Sequence, residues 1–231
     1  MPIEKLIDGF RNFRSSYFEE SDHYKELTQK GQSPETLVIA CSDSRNDPAL
    51  MTQARPGDLF VVRNVAAIVP PYQPDGHYHG TSAAIEFAVK GLKVKNIIVL
   101  GHALCGGVQA LNDHIEGAAS DFEFLAPWIS IGAEARDTVC RAIGDVPYEV
   151  KLRALEQAMI LSSLANLSTF PWVREAVQAR QLYLYGWYFD MIGGRLLSYE
   201  ASKNRFEDIG EASSFLEDHD GCCGTAAVKC A

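Results

Sequence analysis

Three short apolar runs constrain this chain more than any other feature: Leu37-Val38-Ile39-Ala40-Cys41, Leu59-Phe60-Val61-Val62-Arg63-Asn64 and Asn96-Ile97-Ile98-Val99-Leu100-Gly101-His102. Each is too short for an independent helix and rich in β-branched residues, which suit a pleated strand. A nearly continuous apolar run needs cover on both faces, as strands inside a parallel sheet have. Between the second and third runs lies TSAAIEFAVKGL, residues 81–92, which reads as a helix with Thr81 or Ser82 as its cap and Gly91 at its end. Strand, helix and strand make a βαβ unit. The expected fold class is α/β: a central, mostly parallel β-sheet of four to five strands flanked by helices.

The remaining segments fit around that sheet. Ile3, Leu6, Ile7, Phe10, Phe13, Tyr17 and Phe18 recur at the spacing of one helix face. They predict an N-terminal helical arm, within residues 1–30, that must lie on something apolar. A helix is expected after Cys105, ending at Gly117, then a long one over 148–168 with Val150, Leu152, Leu155, Met159, Ile160 and Leu164 mostly along one side. Pro171 suits the first turn of another helix reaching Arg180. Residues 182–190 alternate as a strand does, and Gly193-Gly194 then turns the chain into a hairpin partner over 195–200. Residues from about 206 to 231 read as a C-terminal tail.

At 231 residues with 47% hydrophobic content, the chain can bury a substantial core, and it reads as one domain over 1–231. A formal charge of −9 and a pI near 5.1 argue against nucleic acid as a partner, because phosphate binding needs clustered Lys and Arg. No run approaches the roughly 18 apolar residues of a membrane span. The N-terminal segment carries acidic residues early and lacks a continuous apolar stretch, so it does not read as a secretory signal, and the expected location is cytoplasmic. The cysteines number six, too sparse for a disulfide scaffold and available as metal ligands in a reducing compartment.

The unusual residues gather where the strands end. Cys41 closes the first strand and opens Cys41-Ser42-Asp43-Ser44-Arg45, and His102 and Cys105 follow the third. Ligands of open α/β sheets collect at the carboxyl ends of strands. Two thiolates and an imidazole fill three positions of a tetrahedral zinc, and the fourth, left for water or substrate, marks a catalytic site. The bland reading of Asp43 and Arg45, a structural ion pair, is the weaker one beside those ligands. Gly101, Gly106 and Gly107 read as backbone turns around the metal.

CSDSR, RNVA, VPPY, GTSAAIEFAV and GHALCGG together resemble the β-class carbonic anhydrases, and their plant-type branch in particular. The likeness runs from about Met1 to Arg205. It implies one zinc per chain on Cys41, His102 and Cys105, an Asp43–Arg45 dyad, and reversible hydration of carbon dioxide to bicarbonate by zinc-bound hydroxide. It also implies a homodimer or a multiple of dimers. Hydrolysis of carbonyl sulfide or carbon disulfide on the same site stays open, as does a zinc-bearing scaffold without turnover. Gln32, Phe60, Val65 and Gly106 match substrate-pocket positions of that branch, and Phe87 stands where the family has a pocket Tyr. Val38 replaces the Trp of bicarbonate-regulated members, so their second bicarbonate pocket is expected to be missing.

The other candidate ligands have simpler readings. His77, His79 and His114 read as ordinary surface histidines, with proton shuttling by His77 or His79 the lesser alternative. Cys140 packs in a helix. His219, Cys222, Cys223 and Cys230 match no familiar zinc spacing and fall in the tail, where a second metal or an oxidant-reactive site is the lesser alternative.

Overall fold

The computed structural model describes residues 1–117 and 122–210. The arm is built from α1 (Ile3–Arg14), a π-helical continuation over Ser15–Glu19, and α2 (His23–Lys30). Then come β1 (Thr36–Cys41), α3 (Pro48–Thr52), β2 (Leu59–Asn64), α4 (Gly80–Glu86) and β3 (Asn96–His102). The chain continues through α5 (Gly106–Ile115), α6 (Leu125–Ile129), α7 (Ala133–Ile143), α8 (Tyr148–Leu167) and α9 (Pro171–Gln178). It finishes with β4 (Tyr183–Asp190), β5 (Arg195–Glu200) and β6 (Arg205–Asp208). Among the described residues no helix is long and apolar enough to cross a membrane.

The strands form one sheet in the order β2-β1-β3-β4-β5-β6. The first four run parallel, and β5 and β6 add antiparallel at one side. The sheet therefore has six strands rather than four to five, because Arg205–Asp208, at the start of the stretch read as a tail, pairs with β5. A strand of four residues on an edge carries too little periodicity to stand out in sequence. His219, Cys222, Cys223 and Cys230 lie outside the described residues.

Alternation divides the sheet into two faces. Leu37, Ile39, Ile97 and Val99 join the main core under α8, whereas Val38, Ala40, Ile98 and Leu100 form a second, smaller cluster on the opposite face. That second cluster is edged by half-buried Met51, Leu59, Tyr185, Trp187, Phe189 and Leu196, and only Met51 of these comes from a helix. The packing of α8 explains two glycines within the strands. A Cβ on Gly101 would stand 2.7 Å from Ile160 Cδ1, and one on Gly186 would stand 2.9 Å from Ile160 Cγ2.

Two local expectations are corrected. Helix α4 begins at Gly80 behind His79 with no side-chain cap, so neither Thr81 nor Ser82 caps it. Thr81 Oγ1 instead lies 3.3 Å from Asn64 Nδ2. After α4 the chain runs through a π-helical turn over Phe87–Leu92 and breaks at Lys93, which adopts φ 59°, rather than at Gly91.

The arm presents an apolar surface that the described residues leave uncovered along α1. None of the residues of α1 is buried, with Ile3 62%, Phe10 61%, Leu6 49% and Ile7 48% exposed. At its base, Phe13, Tyr17, Phe18 and Tyr24 pack as a ring cluster with centroids 4.6–6.2 Å apart.

Candidate metal centre

Sheet register assembles the centre. Cys41, the last residue of β1, pairs with Asn64 at the end of β2, and His102, the last of β3, pairs with Phe189 of β4. The chain then reverses through Leu104 at φ 58°, a left-handed conformation that costs a non-glycine residue roughly 1–2 kcal/mol. Cys105 follows directly ahead of α5. The ligand atoms of Cys41, His102 and Cys105 all lie within 4.8 Å of one another, and all three residues are buried.

The donor set fits zinc. The imidazole Nδ1–H of His102 donates to Ala103 O at 2.8 Å, which leaves the lone pair on Nε2, a buried atom with no hydrogen-bond partner among the described residues. The two thiol sulfurs are 3.8 Å apart. Contact with Cys105 holds the Cys41 thiol well below its ordinary pKa, and the same contact together with burial pushes Cys105 up. Two buried thiols this close cannot both ionise without a cation between them, and a thiolate-binding divalent ion supplies one.

Asp43 stands on the rim, its Oδ2 4.0 Å from His102 Nε2. Arg45 grips both carboxylate oxygens, through Nε to Oδ1 at 3.0 Å and Nη2 to Oδ2 at 2.8 Å, and its amide N adds a bond to Oδ1 at 2.9 Å. Those bonds hold the Asp43 carboxyl well below the usual carboxylate range, so it is ionised at any neutral pH. Arg45 Nη2 also donates to Leu104 O at 3.2 Å, tying the dyad to the strained turn.

Two supporting residues escaped the sequence reading. Arg63, which follows the apolar run of β2, donates to Cys41 O at 3.1 Å, Asp43 O at 2.7 Å and Asn46 O at 3.2 Å, and it pairs with Asp47 at 3.1 Å. It thereby clamps the loop that carries Cys41 and Asp43. Glu156 of α8 is 3% exposed and accepts a bond from the Cys105 amide at 3.1 Å. The available signal was a carboxylate on the apolar side of α8, between Leu155 and Met159.

The pocket residues separate into two groups. Val65 lies against the start of α5, since a Cβ on Gly107 would meet its Cγ1 at 2.6 Å, whereas a Cβ on Gly106 would meet nothing within 4 Å. Phe60 pairs with Leu37, four strand positions before Cys41 and so about 13 Å along the sheet from it. Phe87 packs on Phe60 with ring centroids 5.8 Å apart, and exposed Gln32 precedes the same far end of β1. This chain brings Val65 and Gly106 to the end of the strands that carries the thiols, and leaves Gln32, Phe60 and Phe87 at the opposite end.

The loop histidines turn to an acid of their own. Asp75 Oδ1 accepts from His79 Nε2 at 2.6 Å and from the His77 amide at 3.0 Å. His114 lies in the last turn of α5, and Cys140 is a half-buried free thiol in α7.

Comparison with known proteins gives a consistent result. The carbonic anhydrase family model matches residues 36–196. A curated relative, Beta carbonic anhydrase 5, chloroplastic, from Arabidopsis thaliana, is 38% identical over 176 residues, which are 76% of this chain and 57% of that protein. This chain thus spans a little over half the length of that relative. Among solved structures, the β-carbonic anhydrase CcaA superposes with a TM-score of 0.82 at 32% identity, covering 89% of this chain and 91% of the other. One from a study of two tetrameric β-carbonic anhydrases of Sordaria macrospora superposes with a TM-score of 0.69 at 28% identity, covering 90% and 95%.

Proposed function

This chain belongs to the β-class carbonic anhydrases, and from that premise we propose that it interconverts carbon dioxide and bicarbonate in a single zinc domain. The observation that carries the proposal is the convergence of Cys41, His102 and Cys105, with their ligand atoms within 4.8 Å and an ionised Asp43 on the rim. Cys41 and Cys105 would hold zinc as thiolates and His102 through Nε2, one ion per chain. Zinc bound there supplies Lewis acidity, bringing the ionisation of water from near pH 16 down to about 7.

The protein's own groups supply orientation. Arg45 occupies both Asp43 oxygens, so the carboxylate stays off the ligand cluster and remains an acceptor. Asp43 accepts the hydrogen bond of the attacking oxygen and turns that oxygen's lone pair toward carbon dioxide. The released proton leaves to solvent, and the products are bicarbonate and H⁺. Val65 gives the substrate an apolar wall, suited to a small nonpolar gas. Two thiolates need a reducing compartment, which supports a cytoplasmic location.

The proposal extends to the assembly. Gln32, Phe60 and Phe87 sit too far along the strands to reach their own chain's zinc ligands, so they serve a pocket only when a second copy presents them. The exposed apolar side of α1 and the thinly covered face of Tyr185, Trp187 and Phe189 support a dimer or a multiple of dimers. The Arg45 grip on both Asp43 oxygens supports the open form of the site, in which a bound zinc would keep its fourth position for water rather than for Asp43. The test is zinc content by atomic absorption together with stopped-flow carbon dioxide hydration, run beside carbonyl sulfide hydrolysis. One zinc per chain with fast hydration supports the reading. Zinc without hydration, or preference for carbonyl sulfide, refutes it.

A further inference from the structure

We propose that Glu156 is a positioning residue for the zinc ligand Cys105, acting as a buried carboxylate that holds the ligand's backbone in place. The inference rests on the metal reading above and adds a residue to it.

Glu156 is the only acidic residue among the buried polar groups of the described chain. Burying a carboxylate costs several kcal/mol unless donors surround it, and here three do. Its Oε1 accepts from the Cys105 amide at 3.1 Å and from Arg153 Nη2 at 2.7 Å, and its Oε2 accepts from Tyr188 OH at 2.8 Å. Arg153 and Tyr188 come from one helical turn earlier on α8 and from β4, both rigid elements. The donor they leave to be satisfied is the amide of the ligand itself.

That amide stands at a decisive place. Leu104, just before it, is held at φ 58°, and Gly106, just after it, starts α5. An amide pinned at this point sets where the Cys105 sulfur lies relative to Cys41 and His102. Arg45 holds the Leu104 carbonyl from the other side, so the turn is gripped by the dyad in front and by Glu156 behind. Arg153 balances the carboxylate's charge, which keeps a further full negative charge from acting on a site that already has two thiolates.

The test compares zinc dissociation into a chromophoric chelator and the thiolate-to-cobalt charge-transfer band of cobalt-substituted enzyme, in wild type, E156A, E156Q and S163A. Ser163 lies on the same buried side of α8, bonded to the Val69 amide at 3.1 Å and to Ala67 O at 3.3 Å, and serves as a destabilised control that hydrogen-bonds none of the three ligands. E156A should release zinc about 10–100-fold faster, the usual effect of losing a partner behind a metal ligand, and should shift the cobalt band. E156Q keeps an oxygen for the Cys105 amide and should restore both readouts to near wild type. S163A should lower the melting temperature without changing either.

Wild-type release from folded E156A, or equal acceleration in S163A at equal loss of stability, overturns the proposal. Should E156A not fold, Y188F decides: it frees one carboxylate oxygen and is expected to speed release severalfold, and an unchanged rate overturns the assignment. Wild type that binds no zinc defeats the metal reading itself, a result distinct from these.

Discussion

At the scale of single residues, the centre divides into groups that hold the metal and groups that aim the chemistry. His102 Nε2 has no hydrogen-bond partner among the described residues, and the two thiols share one contact, so these three side chains gain most from a cation. Replacing Cys41 or His102 with Ala should therefore remove zinc and hydration together, with metal content and stopped-flow rate falling in step. Asp43 and Arg45 satisfy each other without metal. D43A and R45A should keep near-stoichiometric zinc while hydration falls about 10–100-fold or more, in line with the loss of a group that orients a metal site. Near-normal turnover in both would remove the dyad from the mechanism.

At the scale of elements, α5 must start close to the loop after β2, and a glycine makes that approach feasible. A Cβ on Gly107 would lie 2.6 Å from Val65 Cγ1, 3.0 Å from Ala66 Cβ and 3.3 Å from Ala66 N. Val65 O is itself held by Trp128 Nε1 at 2.8 Å, and Asn64 staples the loop by bonding both the amide and the carbonyl of Ile68. With little room to yield, G107A should lose about 1–3 kcal/mol of stability in denaturant unfolding. G106A faces open space and should stay within about 0.5–1 kcal/mol of wild type, the helix gaining from Ala over Gly. Equal stability of the two variants would show that α5 is free to shift.

At the scale of the whole molecule, two apolar features are thinly covered: the exposed side of α1 carrying Ile3, Leu6, Ile7 and Phe10, and the half-buried sheet face of Tyr185, Trp187 and Phe189. An amphipathic helix gains stability from packing its apolar side rather than from propensity alone, and a reciprocal exchange between copies would cover both features. Removing residues 1–20 should yield aggregating or unstable protein, measured by sedimentation and thermal unfolding. A soluble, active monomer after that truncation would refute the dimer. The same assembly would bring Gln32, Phe60 and Phe87 to a partner's pocket. A Q32A subunit mixed with a C41A subunit should then recover hydration in a fraction of the mixed sites, which cannot happen if each chain completes its own pocket.

Much of this was legible before any coordinates. Apolar runs of β-branched residues announced β1, β2 and β3, and Cys41, His102 and Cys105 at their ends announced a metal, because strand termination and ligand chemistry are local properties of the chain. The long α8 was visible in its spacing for the same reason, although Val150, placed with its apolar side, stands 52% exposed near the start of the helix. Tertiary packing alone decided the rest. Glu156 meets Cys105 across 51 positions, and Arg63 reaches back 22 positions to Cys41, contacts that no local period encodes. Strand β6 exists only because β5 offers it an edge. Whether Phe60 stands near the thiols or about 13 Å from them depends on register, and register is set by how strands pair, not by what any one of them contains.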